Sequence, residues 1–171
     1  LTEAVLNGKP MELLELRRED GSRTGVIRER SLVHELGDLH GTSHVWIVRP
    51  TETGSFEVLL QKRSSGKDSY PGCYDISSAG HVPAGGNYLD SALRELEEEL
   101  GIRACPEDLQ ELFLHRGYAE SEFYGKPFKN AEVTMVYLYS CPVNLSDLSL
   151  QKEEVEAVCW MEYEKLLAKV R

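Results

Sequence analysis

The chain is short of the features that would mark it as secreted, membrane-bound or nucleic-acid-binding. Among its 171 residues there are only four cysteines, Cys73, Cys105, Cys141 and Cys159, and no two form a C-x-x-C pair. Spacing that wide, with no signal-peptide pattern, gives no disulfide framework, and the expectation is reduced thiols in a cytoplasmic protein. Long apolar runs are missing too. The best candidate, Val133 to Tyr139, falls far short of the roughly 20 residues a membrane helix needs and suits a buried strand. Cations are scarce, with 19 Lys and Arg against 29 Asp and Glu and a net charge of −10. A phosphate-lined groove or an anionic lipid face wants the opposite sign, so neither nucleic acid nor membrane is an expected partner. A bound metal can reverse that sign locally, so polyphosphates stay open.

What remains is ordinary globular usage, 41% hydrophobic and 28% charged, at a length that suits one domain over residues 1–171. Met11 to Arg17 and Thr24 to Arg28, separated by Glu19-Asp20-Gly21-Ser22, read as a β-hairpin. With the polar, unassigned stretch that follows, this hairpin makes up an N-terminal segment, 1–41, that either folds back or pairs with a second copy in a homodimer. Ser43 to Arg49, Phe56 to Arg63, Asp75 to Ala79, Leu109 to Tyr118, Val133 to Ser140 and Val155 to Met161 read as strands. Tyr88 to Leu100 is a helix closed by Gly101, and Tyr163 to Val170 is a final one. Strands on both sides of one central helix predict an α+β fold, a mixed sheet between helices arranged as an α/β/α sandwich.

The central helix carries the chemistry. Leu89, Leu93, Leu96 and Leu100 share one apolar stripe. Glu95, Glu98 and Glu99, at i, i+3 and i+4, converge on an adjacent face, where their mutual repulsion is unfavourable unless a hard cation binds there. A loop with three glycines and a proline, Gly80-His81-Val82-Pro83-Ala84-Gly85-Gly86, precedes the helix and suits close approach of backbone to a ligand.

Gly80 to Ile102 resembles the Nudix box, G-x5-E-x7-R-E-U-x-E-E-x-G-U with U an aliphatic residue. Gly80, Arg94, Glu95, Leu96, Glu98, Glu99, Gly101 and Ile102 all match in register. The resemblance implies the Nudix fold and a Mg²⁺ or Mn²⁺ site made by Glu95, Glu98 and Glu99, with the Gly80 carbonyl as a further ligand. Arg94 would orient the carboxylates. The pattern's first Glu falls on Gly86, which puts catalytic strength in question; restoring a Glu there is expected to raise activity provided the backbone is not at positive φ. Outside the box, Gln61-Lys62-Arg63, Lys67 to Gly72 and Asp75 to His81 are similar to the branch related to isopentenyl-diphosphate isomerase. That likeness implies a second metal site drawn from His44, His81 and Glu132, with His40 as a further candidate, and diphosphate contacts from Arg63 and Lys67. The isomerases carry a Cys where this chain has Ala79, and alanine transfers no proton.

The implied activity is therefore Mg²⁺-dependent hydrolysis of a nucleoside-diphosphate derivative or another small organic diphosphate, with Glu98 or Glu132 as the base. Isomerase-like chemistry and a non-catalytic nucleotide-binding module are the alternatives. Tyr70, Tyr74, Phe123 and Tyr124 are candidates for the wall of an organic pocket, and the loop expected at Arg116 to Lys129 for substrate specificity.

Overall fold

The computed structural model describes residues 5–6 and 9–170. The expected domain span of 1–171 therefore includes a few terminal positions that lie outside the described residues. The elements run β1 (Val5–Leu6), β2 (Lys9–Pro10), β3 (Leu13–Arg17), β4 (Arg23–Glu29), α1 (Arg30–Leu36), β5 (Leu39–Pro50), β6 (Phe56–Arg63), β7 (Tyr74–Asp75) and β8 (Ser78–His81). They continue with α2 (Tyr88–Leu100), β9 (Leu109–Phe123), β10 (Lys126–Tyr139), β11 (Val155–Glu162) and α3 (Tyr163–Lys169).

β5 organises the sheet. Its first part pairs in parallel with β10 from Leu39 to Ile47 and antiparallel with β8 from Thr42 to Val45, while its last residues pair with β6. The strand order β11-β6-β5-β10-β9 results, with β3, β7 and β8 joined at its margins. This is the mixed sheet the sequence predicts. Leu16 of β3 pairs with His40 of β5, so the N-terminal hairpin folds back onto the chain's own sheet.

α2 lies on that sheet with the bounds its caps dictate. The Asn87 side chain accepts from the Asp90 amide, and Gly101, at φ 73°, takes the left-handed position that closes the helix. Leu96 and Leu100 are fully buried with Ala92, and Leu89 and Leu93 flank them half-buried against Val45, Ile47, Leu59, Tyr137 and Val155. The leucine stripe thus packs as its spacing requires, although only its last two members are sealed from water.

Three segments differ from the sequence reading. The strand expected at Asp75 to Ala79 is two, β7 and β8, and β8 runs on through Gly80 and His81, which read as loop. Residues 30–36, unassigned in sequence, form α1, capped by the Glu29 carboxylate at one end and by Gly37 at φ 77° at the other. The polar stretch Arg116 to Lys129 is no loop. β9 and β10 continue through it as a long hairpin that reverses at Tyr124-Gly125, with Phe123 opposite Lys126. Both turn residues have positive φ, 52° and 75°, as a two-residue type I′ turn demands. Alternation of polar residues on the exposed faces of a two-stranded arm looks like a loop to a composition reading.

Truncating the sealed end of the stripe tests this packing. Leu96→Ala is expected to lower the unfolding free energy by about 2–5 kcal/mol, read from urea midpoints at constant slope. A loss below about 0.5 kcal/mol, the usual range of a surface change, would contradict the packing described.

Candidate active site

A cleft of about 560 Å³ opens beside β8, lined among others by Glu12, His44, Ala79, Gly80, Glu95, Glu98 and Glu132. α2 and β8 approach each other unusually closely at its floor. A Cβ added at position 80 would lie 2.2 Å from the Glu95 carboxyl carbon, so only glycine lets the Glu95 side chain lie across the strand. Arg94 donates to Glu95 Oε1 at 2.9 Å and to the His81 carbonyl at 3.2 Å, with Glu98 Oε2 at 3.9 Å from its Nε. One guanidinium thus ties two of the box carboxylates to β8.

The third box carboxylate behaves differently. Glu99 is 5% exposed and sits behind the cleft, where Gln61 Nε2 donates to it at 2.8 Å, the Ala79 amide at 3.2 Å and the Ser78 hydroxyl at 3.3 Å. Burial pushes its pKa up to about 8 against the pull of the Gln61 hydrogen bond, and the Glu95 charge adds to the rise. Burial likewise raises Glu95, opposed by Arg94 and assisted by Glu98. Of the three box carboxylates, Glu95 and Glu98 face the cleft with one arginine between them and offer oxygens of the kind a hard divalent cation takes, whereas Glu99 is turned to the partners behind it. Such an ion would relieve the electrostatic cost that raises two of them.

A second cluster lies across the cleft. Ligand nitrogens of His34, His40 and His81 fall within 4.8 Å of one another. The Nε2 atoms of His34 and His40 are buried without a hydrogen-bond partner, an arrangement that is costly unless something is bound. Burial drives the His34 pKa down to about 3, with the His81 and His40 charges reinforcing it, and burial lowers His40 too. Neutral imidazoles are the form a metal requires. Glu12 Oε1 lies 3.1 Å from His81 Nδ1, placed to accept its N–H, as a carboxylate that orients a ligating histidine does.

Of the three residues expected for a second metal, only His81 belongs to this triad. His44 and Glu132 line the same cleft but stand apart from it. His44, which shares the cleft with Glu132, has its pKa lowered chiefly by burial. His34, Glu12 and Gln61 were beyond sequence reasoning. His34 ends up beside His40 because α1 stops at Gly37 and β5 starts two residues later; neither event shows in the spacing of the two histidines. Arg63 and Lys67 do line the cleft, each already paired: Arg63 with Asp75 and the Ser69 carbonyl, Lys67 with Glu154. Gly86 is outside the cleft lining. Its φ is not positive, but a Cβ there would meet the Pro83 ring and carbonyl at 3.1 Å, so a Glu at 86 requires Pro83 to shift.

The buried Glu99 carries a pH signature. A carboxyl whose pKa rises from 4.5 unfolded to about 8 folded contributes stability below pH 4.5, and that contribution is lost as pH climbs through 8. His34, lowered from 6.5 to about 3, acts oppositely, losing its contribution as pH falls below 6.5. Comparing Glu99→Gln with the parent, both stripped of metal, isolates the first effect. The melting temperature of the variant is expected to gain on the parent steadily from pH 5 to 8; a constant difference would contradict a buried, raised Glu99.

Residues 38–171 match the family described as the NUDIX domain. Nudix hydrolase 3 of Arabidopsis thaliana is 42% identical over 156 residues, covering 90% of this chain and 20% of that protein. An uncharacterized Nudix hydrolase of Clostridium acetobutylicum is 34% identical over 139 residues, covering 81% of this chain and 65% of the relative. The chain therefore spans a fifth to two-thirds of the length of these relatives. Among solved structures, DR0079 of Deinococcus radiodurans aligns with a TM-score of 0.68 at 18% identity, over 93% of this chain and 88% of that one. The NUDIX domain of Shewanella oneidensis NrtR, solved with ADP ribose, aligns with a TM-score of 0.55 at 15% identity over 75% of each chain. A family match over residues 38–171, on a mixed sheet whose central helix carries the box carboxylates, means that this chain belongs to the Nudix family.

Proposed function

We propose that the protein is a divalent-metal-dependent pyrophosphohydrolase that cleaves the diphosphate bridge of a nucleoside-diphosphate derivative or a comparable small organic diphosphate. The observation that carries this reading is the convergence of Glu95 and Glu98 with Glu132 on one cleft, beside a buried Glu99 and a guanidinium that fixes the first two. Glu95 and Glu98, with the Gly80 carbonyl and Glu99 behind them, would hold Mg²⁺ or Mn²⁺, and such an ion would supply positive charge against the diphosphate oxygens and the leaving group.

The chain's own residues do the rest. Arg94 holds Glu95 in place through its bond to the His81 carbonyl, so the carboxylate keeps one orientation as ligands change. Lys67 and Arg63 present their charges from within ion pairs, so a diphosphate competes with Glu154 and Asp75 for them. A water in the cleft can lose its proton to Glu98, whose side chain is 53% exposed, or to the half-buried Glu132 on β10. We assign the base to Glu98, which reaches solvent most freely, with Glu132 orienting the water from the facing strand. His34, His40 and His81 form a second metal centre in this reading, which draws support from their unpartnered nitrogens. Ala79 supplies no ionisable group to the cleft, so isomerisation of an allylic diphosphate lacks a proton donor at that position.

Two measurements test the assignment. With Mg²⁺ or Mn²⁺, a panel including ADP-ribose, dinucleoside polyphosphates and isopentenyl diphosphate is expected to give phosphate-containing cleavage products and no isomerised product. Glu98→Gln should lower kcat at least a hundredfold, and Glu132→Gln by less. Isomerisation without cleavage, or full activity in Glu98→Gln, would sink it. For the second centre, the double variant His34→Asn, His40→Asn is expected to lose one equivalent of tightly held metal by elemental analysis, while Glu98→Gln keeps it. Equal metal content in the two would refute a histidine-held ion.

A further inference from the structure

The chemistry described above sits in the middle of the sheet and leaves the two ends of its strand order, β11 and β9, without a task. β9 is the longer, at 15 residues. Among the described residues it pairs with β10 alone, so its outer row of backbone N–H and C=O groups faces no other strand. Glu19 reaches Arg116 at 2.7 Å, but that is a contact between side chains. Most of the strand is exposed, with Phe113 57% and Tyr118 62% accessible.

A free edge of this kind is a template for pairing with another chain, and natural ones are guarded by lysine, proline or short length. β9 has none of these guards. Its one irregularity, opposite the step from Val136 to Tyr137, falls at Leu112. From Phe113 to Phe123 the strand is regular. It does carry Glu111, Glu120 and Glu122, with Arg116 as its only Lys or Arg, and a net charge of −10 makes two copies repel. An occupant of this edge therefore has to set cation against carboxylate in register.

The strand meets that condition itself. Laid antiparallel on β9 of a second copy, with Tyr118 on the two-fold axis, Arg116 comes opposite the partner subunit's Glu120. By the same symmetry Glu120 comes opposite the partner subunit's Arg116. In this register Phe113 faces the partner subunit's Phe123, and the two tyrosines meet at the centre. Directly opposed side chains of antiparallel strands share a face with Cβ atoms about 5 Å apart, where aromatic and opposite-charge pairs are favourable. Neighbouring registers lose this match. Centring on Arg116 sets two guanidiniums together, and centring on Ser121 sets Glu120 against Glu122. Centring on Ala119 pairs Arg116 with Glu122 but brings Phe113 opposite Gly125 of the turn.

We infer that β9 is a self-complementary docking edge, and that its occupant is β9 of a second copy of this chain. The two sheets then run on as one, and the two-fold closes the assembly at two chains. This surface is distinct from the N-terminal hairpin, which folds back onto its own sheet. Gly117 aligns with Glu132 and Ser121 with Phe128, both of which line the cleft, so Phe113 and Phe123 project on the cleft side. Both clefts open on the same side of the joined sheet. Each gains the partner subunit's Phe113 beside the Phe123 that packs on Tyr70 and Phe128.

Sedimentation equilibrium of the intact chain, from low to high micromolar concentration, is expected to show the mass rise from one chain to two and stop. Arg116→Glu and Glu120→Arg each set like charges opposite one another twice, so each should raise the dimer dissociation constant about tenfold. The double variant should restore it. Within one chain the two positions lie about 13 Å apart along the strand, so restoration reports contact between copies. In a chain whose exposed Cys73 and Cys105 are replaced by serine, Tyr118→Cys should cross-link on mild oxidation far faster than Gln110→Cys. A parent that stays one chain at high micromolar concentration overturns the inference. So does a mass that climbs past two, as pairing of β9 with the opposite edge β11 would give. A dimer unmoved by either single variant, or a double variant as weak as the single ones, overturns it as well.

Discussion

Glu99 is the interaction on which the rest of the site depends. Its carboxylate joins three elements: α2, which carries it; β6, through Gln61; and β8, through Ser78 and the Ala79 amide. Burying a carboxylate is expensive without such partners, and once they are in place the helix can neither rotate nor slide on the sheet. That fixed rotation turns Glu95 and Glu98 toward the cleft and Glu99 away from it. Three residues identical in type take three environments: one sealed, one packed on glycine, one half in solvent.

The same lock sets the tolerance at position 80. With α2 pinned at Glu99, Glu95 one turn earlier has nowhere to lie except over β8, and the strand has to be bare there. The glycine that opens the box is thus a steric requirement of the helix's seating, independent of whether its carbonyl ever binds an ion. Arg94 completes the arrangement by bridging the two surfaces from the rim. On the other side of the cleft the histidines come from three elements, His34 from α1, His40 from β5 and His81 from β8, with His40 aligned with Glu132 of β10.

Much of this was legible from the chain and much was not, for a physical reason that separates the two. The bounds of α2, its cap at Gly101 and the convergence of its glutamates depend on residues within one or two turns, and helical periodicity reports them directly. The hairpin at residues 13–29 was visible for the same reason. α1 escaped because its cap is a glutamate, a weak signal, and its seven residues offer too few turns for a periodicity to show. The continuation of β9 and β10 escaped because a two-stranded arm with solvent on one face reads as polar loop. His34, Glu12 and Gln61 reach the site through strand register and helix placement, so no spacing along the chain announces them. Glu99 was expected as a ligand from its position in the box, but its burial, which makes it the tie between layers, follows only from three-dimensional packing.

The hairpin that ends at Tyr124 has a consequence for how such a protein can diversify. A two-stranded arm grows or shrinks by paired residues without altering the facing of those nearer its base, since side chains alternate with a period of two. Its tip stands more than twenty residues in sequence from the carboxylate-bearing helix and shares no hydrogen bond with it among the described contacts. Changes in length or in turn residues would therefore reshape the far end of the groove and leave the carboxylate-bearing helix where it is. Selection can vary what is recognised and what is done to it on separate stretches of the same gene.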